Sequence, residues 1–119
     1  MWIFHQSTGV LEHNGKRVTE GYSGARSLGI NLAETVQFYG PIPRGLYAIG
    51  WSFSTKSLQY VLSLVPIGHD PSGRTAFLIH GDYRDATRQG TASQGCIILP
   101  LEVRKTIWDS LDRMLSIQL

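Results

Sequence analysis

Before residue 100 the chain is a succession of short apolar runs cut by turn residues. Trp2–His5, Val10–His13 and residues 17–22 read as strands, with Asn14-Gly15 between the second and third. An Asn-Gly pair between two such runs is a strong hairpin signal, because both residues tolerate the positive φ of a tight turn. Residues 24–39 fit two readings. Leu32, Val36 and Tyr39 have helical spacing, but a loop with one helical turn fits equally. Gly40-Pro41-Ile42-Pro43-Arg44-Gly45 has to be an extended turn, since neither proline can donate to a ladder. Residues 46–51 and 59–65 are expected as buried strands, 68–73 as a turn and 76–80 as a further strand. Residues 82–94 are polar without period, hence a loop, and 96–99 form a short strand.

The period changes only near the end. Val103, Ile107, Leu111 and Leu115 recur at four-residue intervals after Pro100, with Trp108 beside them. That pattern predicts a helix whose apolar stripe packs on the core. The expected fold is mainly β (α+β), with residues 1–119 forming a single domain closed by one C-terminal amphipathic helix.

Composition narrows the function classes. A chain of 119 residues has room for one domain. Its 13 glycines are scattered, as turns in a β-rich fold require. Eleven Lys and Arg against nine Asp and Glu leave +2, dispersed along the chain, so no nucleic acid is expected as a partner. No run approaches the ~18 apolar residues of a membrane helix, so no membrane insertion is expected. Met1-Trp2-Ile3-Phe4-His5-Gln6 lacks the basic and apolar regions of a signal peptide, which leaves export to another route. A single cysteine forms no internal disulfide. With no H-E-x-x-H, no C-x-x-C and no phosphate-binding glycine pattern, neither metal nor cofactor is expected. His5, His13 and His69 fall near strand ends or in turns and read as surface residues.

The chemistry concentrates in Phe77-Leu78-Ile79-His80-Gly81-Asp82 and Ser93-Gln94-Gly95-Cys96-Ile97-Ile98-Leu99. A histidine closes one predicted strand and a cysteine opens the next. If those strands are neighbours, thiol and imidazole meet as nucleophile and general base. Gly95 gives close access to the backbone, so an oxyanion hole is expected at Gln94, Gly95 and Cys96. Either the Gly81 carbonyl or the Asp82 carboxylate can orient His80. Ser93 does not fit a nucleophile elbow, because the glycines around it are spaced one residue too far apart. It is expected to bond the loop or the substrate, while Tyr22 and Ser23 are candidates for lining the substrate cleft. Taken alone, a cysteine before Ile97-Ile98-Leu99 reads as a buried small hydrophobe.

These segments resemble the signature of the L,D-transpeptidase (YkuD-like) catalytic domain, in which a histidine precedes a Ser/Thr-His-Gly-Cys box. Ser93, Gly95 and Cys96 match the box and His80 stands at the position of the base. Gln94 replaces the box histidine, and Ile98 replaces a polar residue. The toxic L,D-transpeptidase effectors of type VI secretion are similar further upstream, at Tyr22-Ser23-Gly24, at Gly40-Pro41-Ile42-Pro43-Arg44-Gly45-Leu46-Tyr47 and at Ile79-His80-Gly81-Asp82. The resemblance implies a β-sandwich and acyl transfer on peptidoglycan stem peptides. Cys96 would attack the carbonyl of meso-diaminopimelate and expel D-alanine, by hydrolysis or by exchange for another D-amino acid. It further implies a secretion-apparatus carrier, a cognate immunity protein and action in the target-cell periplasm. Two other classes remain: a wall- or partner-binding module that keeps the fold without efficient chemistry, and a cysteine amidase on another peptide.

Overall fold

The computed structural model describes residues 1–24, 40–55, 59–74, 76–82 and 95–119. Among these residues nine strands and one helix follow in the order β1 (Trp2–His5), β2 (Val10–His13), β3 (Lys16–Glu20), β4 (Tyr22–Ser23), β5 (Gly45–Phe53), β6 (Val61–Ile67), β7 (Leu78–His80), β8 (Ile97–Ile98), α1 (Leu101–Asp109) and β9 (Met114–Gln118). The ambiguous segment and the polar loop of the sequence reading lie outside the described residues, except for Gly24 and Asp82.

The strands form one hydrogen-bonded sheet in the order β3-β2-β1-β9-β5-β6-β7-β8-β4. Its two edges are β3 and β4, yet only Gly21 separates them in the chain. Two Cα–Cα steps reach at most ~7 Å, so the edges must meet and the sheet must curl round on itself. The sequence predicts one strand over residues 17–22, and the break at Gly21 is the correction. A Cβ at Gly21 would stand 2.1 Å from the Ile98 carbonyl oxygen, so only glycine allows the chain to cross between edges there. The Gly21 N–H donates to the Gly9 carbonyl at 2.7 Å, continuing the β2/β3 ladder up to the crossing.

The core fills the inside of the curl. Trp2, Phe4, Leu11, Tyr47, Ile49, Leu62, Ile79, Ile97, Leu115 and Ile117 point inward from seven strands, and Ile107 of α1 joins them. Asn14 and Gly15 both have positive φ, as the predicted hairpin requires. The mainly β fold with a helix near its C-terminal end is present, and the structure corrects where that helix stops. It ends at Asp109. The Ser110 hydroxyl donates to the Ile107 carbonyl and accepts from the Asp112 N–H, and the Asp112 carboxylate then takes the Met114 N–H. Ser and Asp thereby offer the backbone local partners in place of helical ones. Leu111 is 78% exposed instead of packed. Leu115 belongs to β9, inserted in mid-sheet between parallel β1 and antiparallel β5.

Candidate active site

β7 and β8 lie side by side and parallel, pairing Ile79 with Ile97 and His80 with Ile98. On the other side of β8, β4 pairs Ser23 with Ile97 and Tyr22 with Ile98. Residues in one row share a face of the sheet. Ser23, Ile97 and Ile79 therefore form a buried row facing the core. Tyr22, Ile98 and His80 form a row on the opposite face. Cys96, one residue before β8, falls on that opposite face too, level with Leu78. Strand rise and spacing put His80 diagonal to Cys96, roughly 8 Å away between Cα atoms, which their side chains can bridge.

His80 is held in one orientation. Its Nδ1 lies 2.8 Å from the Gly81 carbonyl oxygen. A carbonyl only accepts, so Nδ1 carries the proton and Nε2 is the basic nitrogen. Between the two orienting acceptors left open by the sequence, the geometry selects the Gly81 carbonyl. Asp82 is exposed and lines the adjoining cleft.

The Cys96 thiol is half-buried, and its Sγ lies 4.0 Å from the Ala76 carbonyl oxygen. Burial pushes its pKa up. A hydrogen bond from the Leu78 backbone and the positive charge of Arg74 oppose that rise without cancelling it. At neutral pH the resting side chain is thus a thiol directed at Ala76, on the far side of Leu78 from His80.

Gly95 is fixed from two sides. Its φ is +110°, and a Cβ there would sit 2.3 Å from Arg74 Nη2 and 3.1 Å from Phe77. Its carbonyl accepts the Ser23 hydroxyl at 3.0 Å, and the same Ser23 oxygen accepts the Ile42 N–H at 2.8 Å. Ser23 is buried in the core-facing row. The structure thus corrects the expectation that it touches substrate: it braces the backbone next to Cys96. Tyr22, by contrast, is half-buried on the same face as Cys96 and lines the cleft. Ser93 and Gln94 lie outside the described residues.

Two buried arginines escaped the sequence reading. Arg74 donates to the Gly40 and Pro41 carbonyls at 2.9 and 2.7 Å, and its Cζ sits 5.3 Å from the Phe77 ring centroid. It supplies the hydrogen bonds that the Gly-Pro-Ile-Pro segment cannot obtain from a ladder. Arg104, from α1, bonds the Leu99 carbonyl at 3.1 Å and the Gln59 carbonyl, and faces Gly81. Its one sequence signal is its place three residues before Ile107, on the inward side of the helix.

The other histidines are structural. His5 pairs with Glu12 at 2.6 Å, and His13 stacks on Trp2 while bonding Asp112 at 3.0 Å. His69 is less superficial than expected: it bonds the Leu46 carbonyl at 3.0 Å and meets Tyr47 edge-on.

A cleft of about 440 Å³ opens past His80, where β7 and β8 end and β4 begins. The fold has a counterpart among solved structures. An L,D-transpeptidase from Mycobacterium smegmatis superposes with a TM-score of 0.52 over 99% of this chain, at 13% sequence identity. The fold is that of an L,D-transpeptidase. This chain spans 58% of that protein's length. No family model and no curated protein matches the sequence, so the likeness is one of backbone architecture. Within that fold His80 ends β7 beside the cleft, and Cys96 stands one residue before β8, level with Leu78.

Proposed function

We propose that this protein is a cysteine-dependent acyl-transfer enzyme acting on peptidoglycan stem peptides. The observation that carries the reading is His80, fixed through Nδ1 on the Gly81 carbonyl, diagonal to Cys96 on one face of the β7/β8 pair. Rotation about χ1 of Cys96 carries Sγ from Ala76 towards Nε2. His80 takes the thiol proton, and the thiolate attacks the carbonyl carbon of meso-diaminopimelate, the third residue of the stem. The imidazolium returns the proton to the leaving nitrogen as the C–N bond breaks, releasing D-alanine and leaving a thioester. Water completes an L,D-carboxypeptidase cycle, and a D-amino acid completes an exchange. Backbone N–H groups at Gly95 and Cys96 would stabilise the oxyanion, each donor contributing ~3 kcal/mol in acyl transfer.

The biological setting follows from the same resemblance. In this reading the protein is an antibacterial effector, delivered by type VI secretion without a cleaved signal. It acts in the target-cell periplasm, and an immunity protein guards the producer. Expression directed to the periplasm should lyse cells, whereas cytoplasmic expression should be harmless.

The enzymatic test uses disaccharide-tetrapeptide muropeptides, analysed by mass spectrometry. Wild-type protein should release one D-alanine and Cys96→Ala none, a loss of at least ~10³-fold. No product with or without added D-amino acid would sink the reading. A second reading, a wall-binding module of the same fold, is favoured by the raised thiol pKa and the bond towards Ala76. Fast alkylation of Cys96 at neutral pH would exclude it.

A further inference from the structure

The outer face of the sheet, on which Cys96 and His80 stand, continues past them into a surface that acyl transfer at Cys96 does not itself use. The β6/β7 register sets Ser63 opposite Leu78, and Leu78 is level with Cys96. One step along, Val61 stands level with His80 and pairs on its other side with Phe53. The β5/β6 ladder shifts between Ile49 and Ser52, so Gly50 and Trp51 together oppose Ser63. The Trp51 N–H donates to the Ser63 hydroxyl at 2.8 Å, which fixes this bulge. Phe53 thus lies in the row of His80, and Trp51 in the row of Cys96. At a strand spacing of ~4.8 Å, Trp51 is about 14 Å from Cys96 and Phe53 about 10 Å from His80 between Cα atoms.

The two rings at these positions are open to solvent. Trp51 is 50% exposed and Phe53 36%, and their centroids stand 5.2 Å apart with the planes tilted by 33°. Val65 and Ile67, also exposed, extend the apolar surface along the same face of β6. β5, β6 and β9 contain no Asp, Glu, Lys, Arg or His. A charge-free surface does not select an ionic ligand and suits a neutral one. Ser54 and Thr55 follow Phe53 and are exposed, which places hydroxyls at the rim. The negative π face of an indole attracts the polarised C–H groups of a pyranose ring, whose own hydroxyls meet such a rim. Two aromatic side chains of ~150–250 Å² each, no more than half exposed, offer the footprint of one or two sugar rings. They fall well short of the ~800 Å² per partner of a stable protein interface.

We infer that Trp51 and Phe53 form a stacking platform for a neutral pyranose of the glycan strand that carries the stem peptide. The identity of the glycan rests on the acyl-transfer reading, whereas the neutral-sugar chemistry rests on the platform alone. The spacing agrees with that substrate. Three extended residues of ~3.5 Å each place the third carbonyl ~10 Å from the head of the stem. The lactyl ether between stem and sugar covers most of the remaining distance to Trp51. A stem with its third carbonyl at Cys96 and its amino-terminal end towards β5 therefore sets its sugar over the two rings. The protein then reads the sugar as well as the peptide.

The test titrates chitotetraose, a neutral N-acetylglucosamine oligomer with no peptide to cleave, into isotope-labelled protein and follows the indole N–H resonances by NMR. The Trp51 resonance should shift, whereas those of Trp2, buried in the core, and Trp108, covered by Arg113, should not. Trp51→Ala, at an exposed position, should weaken binding at least ~10-fold, the range of one ring stacked on an aromatic side chain. No Trp51 shift at millimolar chitotetraose would overturn the platform. A sedimentation mass that doubles with concentration and reverts in Trp51→Ala, without any sugar shift, would overturn it in favour of a second copy of the chain. Turnover is the separate arm. Wild-type protein should prefer disaccharide-tetrapeptide to the free tetrapeptide by at least ~10-fold in kcat/KM, and Trp51→Ala should erase that preference. A Trp51 shift without turnover of either substrate keeps the platform and removes the acyl-transfer reading; turnover with neither shift nor sugar preference does the reverse.

Discussion

The two sides of the curled sheet are held together by different means. β1, β2, β5 and β9 are four to nine residues long and share continuous ladders, with Trp2, Phe4, Leu115 and Ile117 packed beneath them. β4, β7 and β8 have two, three and two residues. Ladders that short fix little, and buried polar side chains supply the rest: Ser23 to Gly95 and Ile42, Arg74 to Gly40 and Pro41, Arg104 to Leu99 and Gln59. Backbone that borders an open cleft cannot be fully covered by neighbouring strands. It is held in place by side chains from behind.

The contrast predicts opposite mutational signatures. Leu115→Ala, in the ladder side, should lower stability by about 2–5 kcal/mol through the lost contacts and the cavity. Activity per folded molecule should remain at the wild-type level. Ser23→Ala, in the braced side, removes the hydroxyl that links the Gly95 carbonyl to the Ile42 N–H and should lower stability by about 1–3 kcal/mol. If Cys96 is the nucleophile as proposed, it should also cut activity per folded molecule by roughly 10-fold or more, because the backbone at Cys96 loses its register. Urea denaturation beside turnover measures both. Equal activity in the two variants would erase the distinction.

Arg74 sharpens the point through the thiol. Its charge opposes the upward shift that burial gives Cys96, so Arg74→Met should move the thiol pKa further up. Alkylation rate against pH reads this directly, as a profile displaced to higher pH than in wild type. An unmoved profile would assign Arg74 a purely mechanical part.

The two regions also differed in how far the sequence revealed them. The hairpin at Asn14-Gly15, the strands β1, β2, β5 and β6, and the pairing of a His-ended strand with a Cys-opened one were all readable, because period and turn chemistry are local. The braces were not. Ser23 and Arg74 act across 72 and 33 residues of sequence, and nothing nearby in the chain distinguishes a brace from a substrate contact. The C-terminal helix was over-extended for another reason. Leu111 and Leu115 are four residues apart, a spacing that suits a helix face and also one face of a strand. The deciding signal was the two-residue alternation Leu115–Ile117 after Ser110 and Asp112, two side chains that end helices by capturing nearby backbone.

Acid tests the ladder side at its own joint. Asp112 is held at a pKa of about 2, chiefly by its bond to the N-terminal amine, with His13 and the Met114 N–H assisting and burial opposing. The folded pKa is depressed, so this stabilisation is complete above the ordinary carboxylate value of about 3.9 and is lost as pH falls through it towards 2. Asp112→Asn should show a shallower loss of stability across that window. Identical slopes in wild type and variant would place the acid sensitivity elsewhere.

The smallest effect is expected at the turn that ended the helix. Leu111 has φ +63° and is 78% exposed, so its side chain contributes little packing while its backbone sits in a region unfavourable for a branched residue. That conformation costs roughly 1 kcal/mol for most L-residues and less for asparagine. Leu111→Asn should therefore stabilise by about 0.5–1 kcal/mol, without the extra unfolded-state entropy that glycine would bring. The change falls on the ladder side and leaves β4, β7 and β8 untouched, so the thermal midpoint should rise while turnover stays constant. A fall in stability would mean that the Leu111 side chain contributes more to the turn than its exposure indicates.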